Sequence, residues 1–356
     1  MALWCDKYRP NKLSKLDYHK DQANQMKKLA ESGDFPHLFL FGPSGAGKKT
    51  RTYAILRELF GAGVERLKLE HQLIETPSKR KIEQIVISSN YHLEVNPSDA
   101  GIYDRCVIQE LIKTTATSGT LTEKHPFKIV VITEADKLTK EAQHGLRRTM
   151  EKYVSVCKLI LIGESSSRVI PAIKSRCLLV RVPAPTHQEI VNVLNTIVKK
   201  EVAQVSSDII DKIALESLRN LRRAILMLET SVVEGGKSIS QPQWLERIKL
   251  IAKKIIQSQT VNRLKEIRNN LFELQTHLIP SELVMRELVK ELLVNCLDDS
   301  MKEKLISLAA EYEHKMRLGS KHIYHFEAFV AKFMAIYKCS IENVDFDEDA
   351  DFDMST

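Results

Sequence analysis

The stretch Phe41–Thr50 reads FGPSGAGKKT. A phosphate-binding loop has the form G-x-x-x-x-G-K-[ST], and Gly42, Gly47 and Lys48 stand at its fixed positions. Gly45 and Ala46 complete a turn whose successive backbone N–H groups converge on phosphate oxygens, while the helix that follows adds the positive end of its dipole. The next position breaks the pattern. Lys49 stands where a serine or threonine would hold a metal ion.

The flanking sequence suits such a loop. PHLFLFG, 36–42, is a short apolar run ending in glycine, and KTRTYAILRELFG, 49–61, has helical spacing with Gly61 as its stop. Strand, loop and helix are therefore predicted in that order. Two further buried strands, FKIVVI (127–132) and CKLILIG (157–163), enclose a helical stretch, KEAQHGLRRTMEKY (140–153). Continuous apolar strands alternating with helices predict a mostly parallel sheet covered on both faces, an α/β fold. Near Pro183–Pro185 the character changes. Nearly everything from Thr186 onward has helical spacing, with a polar break at 235–243 and a second helical block from Trp244 to Tyr337.

The 356 residues suffice for two or three folded domains. The formal charge is +7, and the stretch 341–356 holds seven acidic residues with no Lys or Arg, so the remainder carries +14. That excess suits a polyanionic partner or plain solvation. The acidic end, DFDEDADFD, is expected to be a disordered tail. Six scattered cysteines without a C-x-x-C pair or histidines at ligand spacing read as reduced, mostly buried thiols, and no metal site is expected. The opening MALWCDKYRPNKL has no apolar signal core, and no run reaches the roughly 18 apolar residues of a membrane span. A cytosolic or nuclear protein without membrane contact is expected; the basic SKRK at 78–81 is too short to choose between the two.

Hydrolysis at a P-loop needs Mg²⁺, held by the loop hydroxyl and by an Asp ending a nearby strand. Here the loop offers Lys49, and Thr50 lies about 100° further round the helix, a poor substitute. The strand KIVVI runs into Thr133-Glu134-Ala135-Asp136, so Thr133 takes the metal-binding position and Glu134 that of the water-polarising carboxylate. Asp136 falls beyond the strand end, as a cap or turn residue. With both metal ligands gone and the cradle kept, two readings of Lys49 stand: its ammonium takes over part of the phosphate neutralisation, or it points to solvent. The first predicts ATP or ADP bound with little or no Mg²⁺ dependence.

Several segments resemble one family: LWCDKYRP at 3–10, GPSGAGKKT, TEADKLTKEAQHGLRRTMEKY, SRC at 175–177 and NLRRA at 220–224. Together they are similar to the small subunits of the eukaryotic sliding-clamp loader replication factor C, of the AAA+ class. GKKT, SSNYHLEVNPSDAG (88–101) and LGSKHIYHFEAFVAKFM (318–334) resemble its subunit with a degenerate ATP site, and the match runs through nearly the whole chain. The resemblance implies a RecA-like AAA+ core over 1–183, a helical lid over 184–240, a helical collar for pentamer assembly over 241–340 and the tail over 341–356. It implies a nuclear heteropentamer that grips primer-template DNA and opens the clamp in replication and repair.

Residue roles follow from the same resemblance. Trp4, Lys7, Tyr8, Arg9 and Pro10 match the segment beside adenine and ribose; on their own, Trp4 and Tyr8 read as core anchors. Arg222 matches a lid arginine that reaches the phosphates, and Glu164 falls where a polar sensing residue such as Asn is usual. Arg176 matches the arginine that projects into the next subunit's site, a role worth roughly 10³ to 10⁵ in rate in related enzymes. By itself it is a surface arginine at a strand end. Arg105 at a helix start, with Arg147 and Arg148 nearby, resembles phosphate contacts to DNA, although the latter two also suit a subunit interface. Ile55, Leu59 and Phe60 offer either a clamp-facing stripe or core packing. The expected function is a subunit that binds nucleotide, hydrolyses little or none, and supplies Arg176 to a neighbour. The competing reading is a self-sufficient AAA+ ATPase that remodels or loads by its own turnover, against which Lys49 and Thr133 count.

Overall fold

The computed structural model describes residues 2–33, 35–75, 81–117, 127–235, 241–296, 298–319 and 321–342. The acidic end from 343 and most of the basic cluster at 78–81 lie outside these. The chain divides into two compact units, Met1–Ser240 and Gln241–Thr356.

The first unit is built on the strands predicted from apolar runs. β1 (Leu38–Phe41) is followed by the loop and by α3 (Lys48–Phe60), after the earlier α1 (Trp4–Lys7) and α2 (Lys20–Glu31). Next come β2 (Lys68–Glu75), β3 (Lys81–Ser88), β4 (His92–Val95), α4 (Asp104–Thr117), β5 (Lys128–Ile132), α5 (Lys140–Lys152), β6 (Cys157–Gly163), α6 (Pro171–Lys174) and β7 (Leu178–Arg181). The seven strands form one sheet in the order β2-β3-β4-β5-β6-β1-β7. The pairs β4–β5, β5–β6, β6–β1 and β1–β7 are parallel, and β2 and β3 extend the sheet antiparallel.

Period-two alternation explains why the central strands are apolar throughout. Leu38, Leu40, Ile129, Val131, Ile160 and Ile162 face the α2 and α3 side, while Phe39, Val130, Ile132, Leu159 and Leu161 face α4 and α5. Each such side chain, fully buried, contributes about 1.5–3 kcal/mol relative to exposure. Ile55 and Leu59 lie in the same core, 1% and 7% exposed, and half-buried Phe60 stacks on Tyr91. The stripe on α3 is therefore packing, the second of its two readings: Ile55 and Leu59 fall on the helix face turned to the sheet.

After Pro183–Pro185, Thr186 and Glu189 form a reciprocal capping box that starts α7 (His187–Glu201), and α8 (Ser207–Glu216) and α9 (Leu221–Val233) complete a small helical lid with its own core. Asn220 caps α9 by accepting from the Arg223 N–H at 3.1 Å. The second unit is helical: α10 (Gln243–Gln257), α11 (Val261–Thr276), α12 (Ser281–Asn295), α13 (Asp299–Leu318) and α14 (His322–Glu342). They close around Ile248, Ile255, Leu288, Phe326, Phe329 and Phe333. All six cysteines are free; Cys157 and Cys296 are buried, but the other four are half-buried, where mostly buried thiols were expected.

Candidate nucleotide site

Three glycines bring backbone closer than a side chain would allow. A Cβ on Gly42 (φ +153°) would stand 2.0 Å from the Val182 carbonyl oxygen, and one on Gly45 (φ +74°) 1.9 Å from Asn220 Oδ1. On Gly47 (φ +82°) it would meet the Tyr18 hydroxyl at 2.6 Å. The turn therefore packs against the exit of β7, the cap of the lid helix α9 and Tyr18. Lys48, at the start of α3, donates to the carbonyls of Gly42 (2.7 Å) and Pro43 (2.9 Å). An ammonium has three donors, so a third remains for a phosphate oxygen. Burial pulls the Lys48 ammonium below its ordinary pKa, while Glu164 and then Asp136 raise it.

Lys49 follows neither expectation fully. Its Nζ sits 2.5 Å from Glu94 Oε1, and Glu94, on β4, is 6% exposed. The Tyr53 hydroxyl donates to the same carboxylate, and burial, then the Glu94 charge, pushes that phenol's pKa upward. The lysine lines the cavity, yet its charge is taken by a buried partner. The correction has a simple cause: a buried carboxylate left without a charged partner is costly, and Lys49 is the cation within its reach.

At the end of β5, the Thr133 hydroxyl donates to the Val95 carbonyl at 3.2 Å, so it is spent on β4. Glu134 has φ +53°, and its carboxylate pairs with Lys137 at 3.0 Å. Asp136 is 8% exposed and accepts the Glu164 N–H at 3.1 Å, tying the ends of β5 and β6 together as a turn residue. Among the described residues no three His, Cys, Asp or Glu side chains converge as metal ligands. The two positions a P-loop devotes to Mg²⁺ hold an ammonium and a committed hydroxyl, a donor set that does not fit the ion.

A cavity of about 260 Å³ runs from this loop to the lid. Tyr8, Arg9, Pro10, the residues 45–50 and Arg222 line it, together with Glu134 and Glu164. Its other end, where the lid contributes Val193, Ile197 and Ile225, is apolar and suits a flat base. Gly42 and Trp4 do not line it. Gly42 serves the close approach to β7, and Trp4 packs into the lid core while its backbone N–H donates to Glu229 Oε2 at 3.1 Å. Tyr8 and Lys7 both reach Glu201 of α7, at 2.5 and 2.6 Å. The sequence signals missed Glu94, Tyr18 and Arg51, all of which surround the loop; a tyrosine and an arginine in ordinary spacing carry no mark of burial.

The remaining candidates lie away from the cavity. Arg176 donates to Glu151 Oε1 through Nε (2.8 Å) and to the Ala172 carbonyl through NH1 (2.7 Å), and its side chain keeps 32% exposure. Arg147 shares Glu151 at 3.5 Å, so it lies beside Arg176. Arg148 is exposed on α5, and exposed Arg105, second residue of α4, sets its side chain against Gly145 of α5. Buried Asp104 fixes that corner by accepting the Thr139 N–H (2.7 Å) and hydroxyl (2.9 Å).

Family comparisons cover most of the chain. Residues 18–186 match "DNA polymerase III, delta subunit", 192–233 match "RCF1/5-like, AAA+ ATPase lid domain", and 244–341 match "Replication factor C subunit 3, C-terminal domain". Replication factor C subunit 3 of Homo sapiens is 55% identical over 350 residues, 96% of this chain and 98% of that one. Replication factor C subunit 5 of Neurospora crassa is 47% identical over 97% of this chain and all (100%) of its own. A solved RuvB variant from Thermotoga maritima is similar at 16% identity and a TM-score of 0.47, over 81% of this chain and 90% of that one.

Proposed function

The chain belongs to the replication factor C small-subunit family, and from that premise we propose that it is a clamp-loader subunit that binds ATP or ADP and turns over little or none of it. One observation carries this. The cradle and Lys48 are in place, while Lys49 is paired with Glu94 and Thr133 with the Val95 carbonyl. A nucleotide would be held by the N–H groups of the loop and by Lys48, with Arg222 on the lid side and its base in the apolar end. Each of these acts on the ground-state ligand; none supplies the metal-assisted charge stabilisation that phosphoryl transfer requires. The ligand then serves as a structural link between lid and core.

In this reading Arg176 works for a neighbour. It is half-exposed, outside its own cavity and held in shape by Glu151 and the Ala172 carbonyl. Such an arginine, reaching an adjacent subunit's nucleotide, stabilises charge developing on the transferred phosphoryl. Arg105, exposed in the first turn of α4, and Arg148, exposed on α5, suit sequence-independent contacts to a DNA backbone, with Arg147 on the Arg176 side. The sliding clamp, a heteropentamer and a nuclear location complete the proposal on the strength of the family.

The test is calorimetric. Titration of the purified chain with ADP in EDTA and then in Mg²⁺ is expected to give affinities within about threefold, with negligible steady-state ATP hydrolysis. A requirement for Mg²⁺, or sustained turnover by the chain alone, refutes the proposal and favours a self-sufficient ATPase.

A further inference from the structure

Arg51 has no exposed surface at all (0%), and it is the largest fully buried side chain among the described residues. It stands on α3, two residues beyond Lys49, and forms part of the cavity wall. Every partner it has among the described residues is neutral. NH1 donates to the Ala46 carbonyl (3.1 Å), NH2 to the Tyr18 carbonyl (3.3 Å) and to His19 Nδ1 (3.2 Å), and the guanidinium lies 4.8 Å from the centre of the Tyr18 ring. Its Nε has no partner among the described residues. The carboxylates whose charge is felt around Tyr18 are those of Glu189 and Asp17. Glu189 is committed to the cap of α7, where it accepts from the Thr186 N–H at 2.7 Å, and Asp17 is exposed to water.

A guanidinium does not give up its proton inside a protein. A buried charge without an anionic partner is strongly unfavourable, so a guanidinium with only neutral partners calls for an anion within reach. The place left for that anion is the phosphate cradle. A Cβ on Gly47 would come within 3.2 Å of Arg51 NH1, which puts the cation directly behind the loop. The same guanidinium also sets the loop's direction. The Ala46 carbonyl accepts from both Arg51 and the Tyr18 hydroxyl (3.0 Å), and a trans peptide places the next N–H on the opposite side. With its carbonyl drawn toward Arg51, that peptide presents the Gly47 N–H to the cavity.

We propose that Arg51 is the resident counter-cation for the bound nucleotide's phosphates, acting from behind the loop and thereby allowing this site to hold a polyphosphate without a divalent ion. The inference rests on the nucleotide-binding reading above and names the residue that makes it independent of metal. Arg51 is a positioning and charge-balancing residue: it touches the loop, and through the loop the ligand.

The experiment uses the full chain and the variants Arg51→Met, close in bulk and neutral, and Arg51→Lys. ADP and adenosine are titrated into each in EDTA, and each unliganded protein is melted. The expected result is that Arg51→Met binds ADP at least tenfold more weakly than the parent, binds adenosine within twofold of it, and melts unliganded no lower than the parent because an uncompensated charge has gone. Arg51→Lys is expected to recover part of the ADP affinity. Equal losses for ADP and adenosine, unchanged ADP binding, or an Arg51→Met protein that melts well below the parent would each show a keystone of the fold and overturn the proposal. If the parent binds neither ligand, the nucleotide-binding reading itself has failed, which is a separate outcome.

Discussion

The Lys49 ammonium and the Glu94 carboxylate, 2.5 Å apart, join the first turn of α3 to the strand β4 in the position where a metal-dependent loop would present a hydroxyl. Glu94 is buried, so the pair is one-sided: the carboxylate depends on the lysine more than the lysine, 37% exposed at its side chain, depends on the carboxylate. The loop's departure from G-K-[ST] therefore has a structural correlate on another strand.

Lys49→Thr is expected to lower stability by about 1–3 kcal/mol, because a buried carboxylate loses its charged partner and keeps only the Tyr53 hydroxyl. Adding Glu94→Gln should restore most of that loss, giving a favourable coupling in a double-mutant cycle measured by urea denaturation. Restoring Mg²⁺ binding with Lys49→Thr and Thr133→Asp should accordingly work better when Glu94→Gln is included, as read by Mg²⁺-dependent ADP affinity. Additive losses at positions 49 and 94 would refute the dependence.

Gly42→Ala sets a methyl group 2.0 Å from a backbone oxygen, which has no rotamer to escape by. A loss of roughly 2–4 kcal/mol is expected from overpacking and unfavourable φ. Gly45→Ala instead presses on the Asn220 side chain, so its main effect should be a loosened cap on α9, near 1 kcal/mol, with weaker nucleotide binding. Thermal melts and ADP titration of the two variants separate the effects.

Burial holds His37 and His92 at about 4, below the 6.5 of a free imidazole. The unfolded chain thus binds more protons between pH 6.5 and 4, and stability falls as pH drops through that window. Each ring contributes up to roughly 3 kcal/mol of that loss. His37 Nδ1 accepts the Leu159 N–H at 2.9 Å, a bond that protonation at Nδ1 would remove. Urea midpoints at pH 7 and pH 4.5 measure the loss, and imidazolium NMR signals from either ring at pH 6 would contradict it.

Arg176→Ala should change the isolated chain's stability by less than about 1 kcal/mol, since its bridge to Glu151 is exposed. In the assembled complex, turnover at the neighbouring site should drop by roughly 10³ or more. Undiminished single-turnover hydrolysis by the complex would remove Arg176 from that role.

The parallel strands and the loop were legible because each is a local signal: an apolar run covered on both faces, then glycines at fixed spacing. The β2–β3 hairpin was not. Its strands are largely exposed: Leu69, Leu73 and Ile85 face outward, and the inward face is anchored only by Ile74, Gln84 and Val86, so the apolar residues fall on both faces and blur the alternation. Within the site, the departure from the G-K-[ST] pattern could be read from Lys49 and Thr133 alone. The side chains packed around them could not, since Tyr18 and Arg51 reach the loop, and Glu94 reaches Lys49, only through tertiary folding, and glutamate and arginine are ordinarily exposed. Trp4 shows the converse: its match to a base-side segment put it in the pocket, while an indole's large apolar area drew it into the lid.

The bond from the Trp4 N–H to Glu229 spans 225 positions of the chain. The ribosome releases the first end of that bond long before it makes the second, and at typical synthesis rates of roughly 5–20 residues per second the interval is on the order of ten seconds or more. Throughout that time the opening helix has no lid to dock on. The part of the cavity wall that Cys5 and Tyr8 supply is consequently among the last parts of the first unit to be assembled, and a bulky fusion before Trp4 would burden the lid more than the sheet.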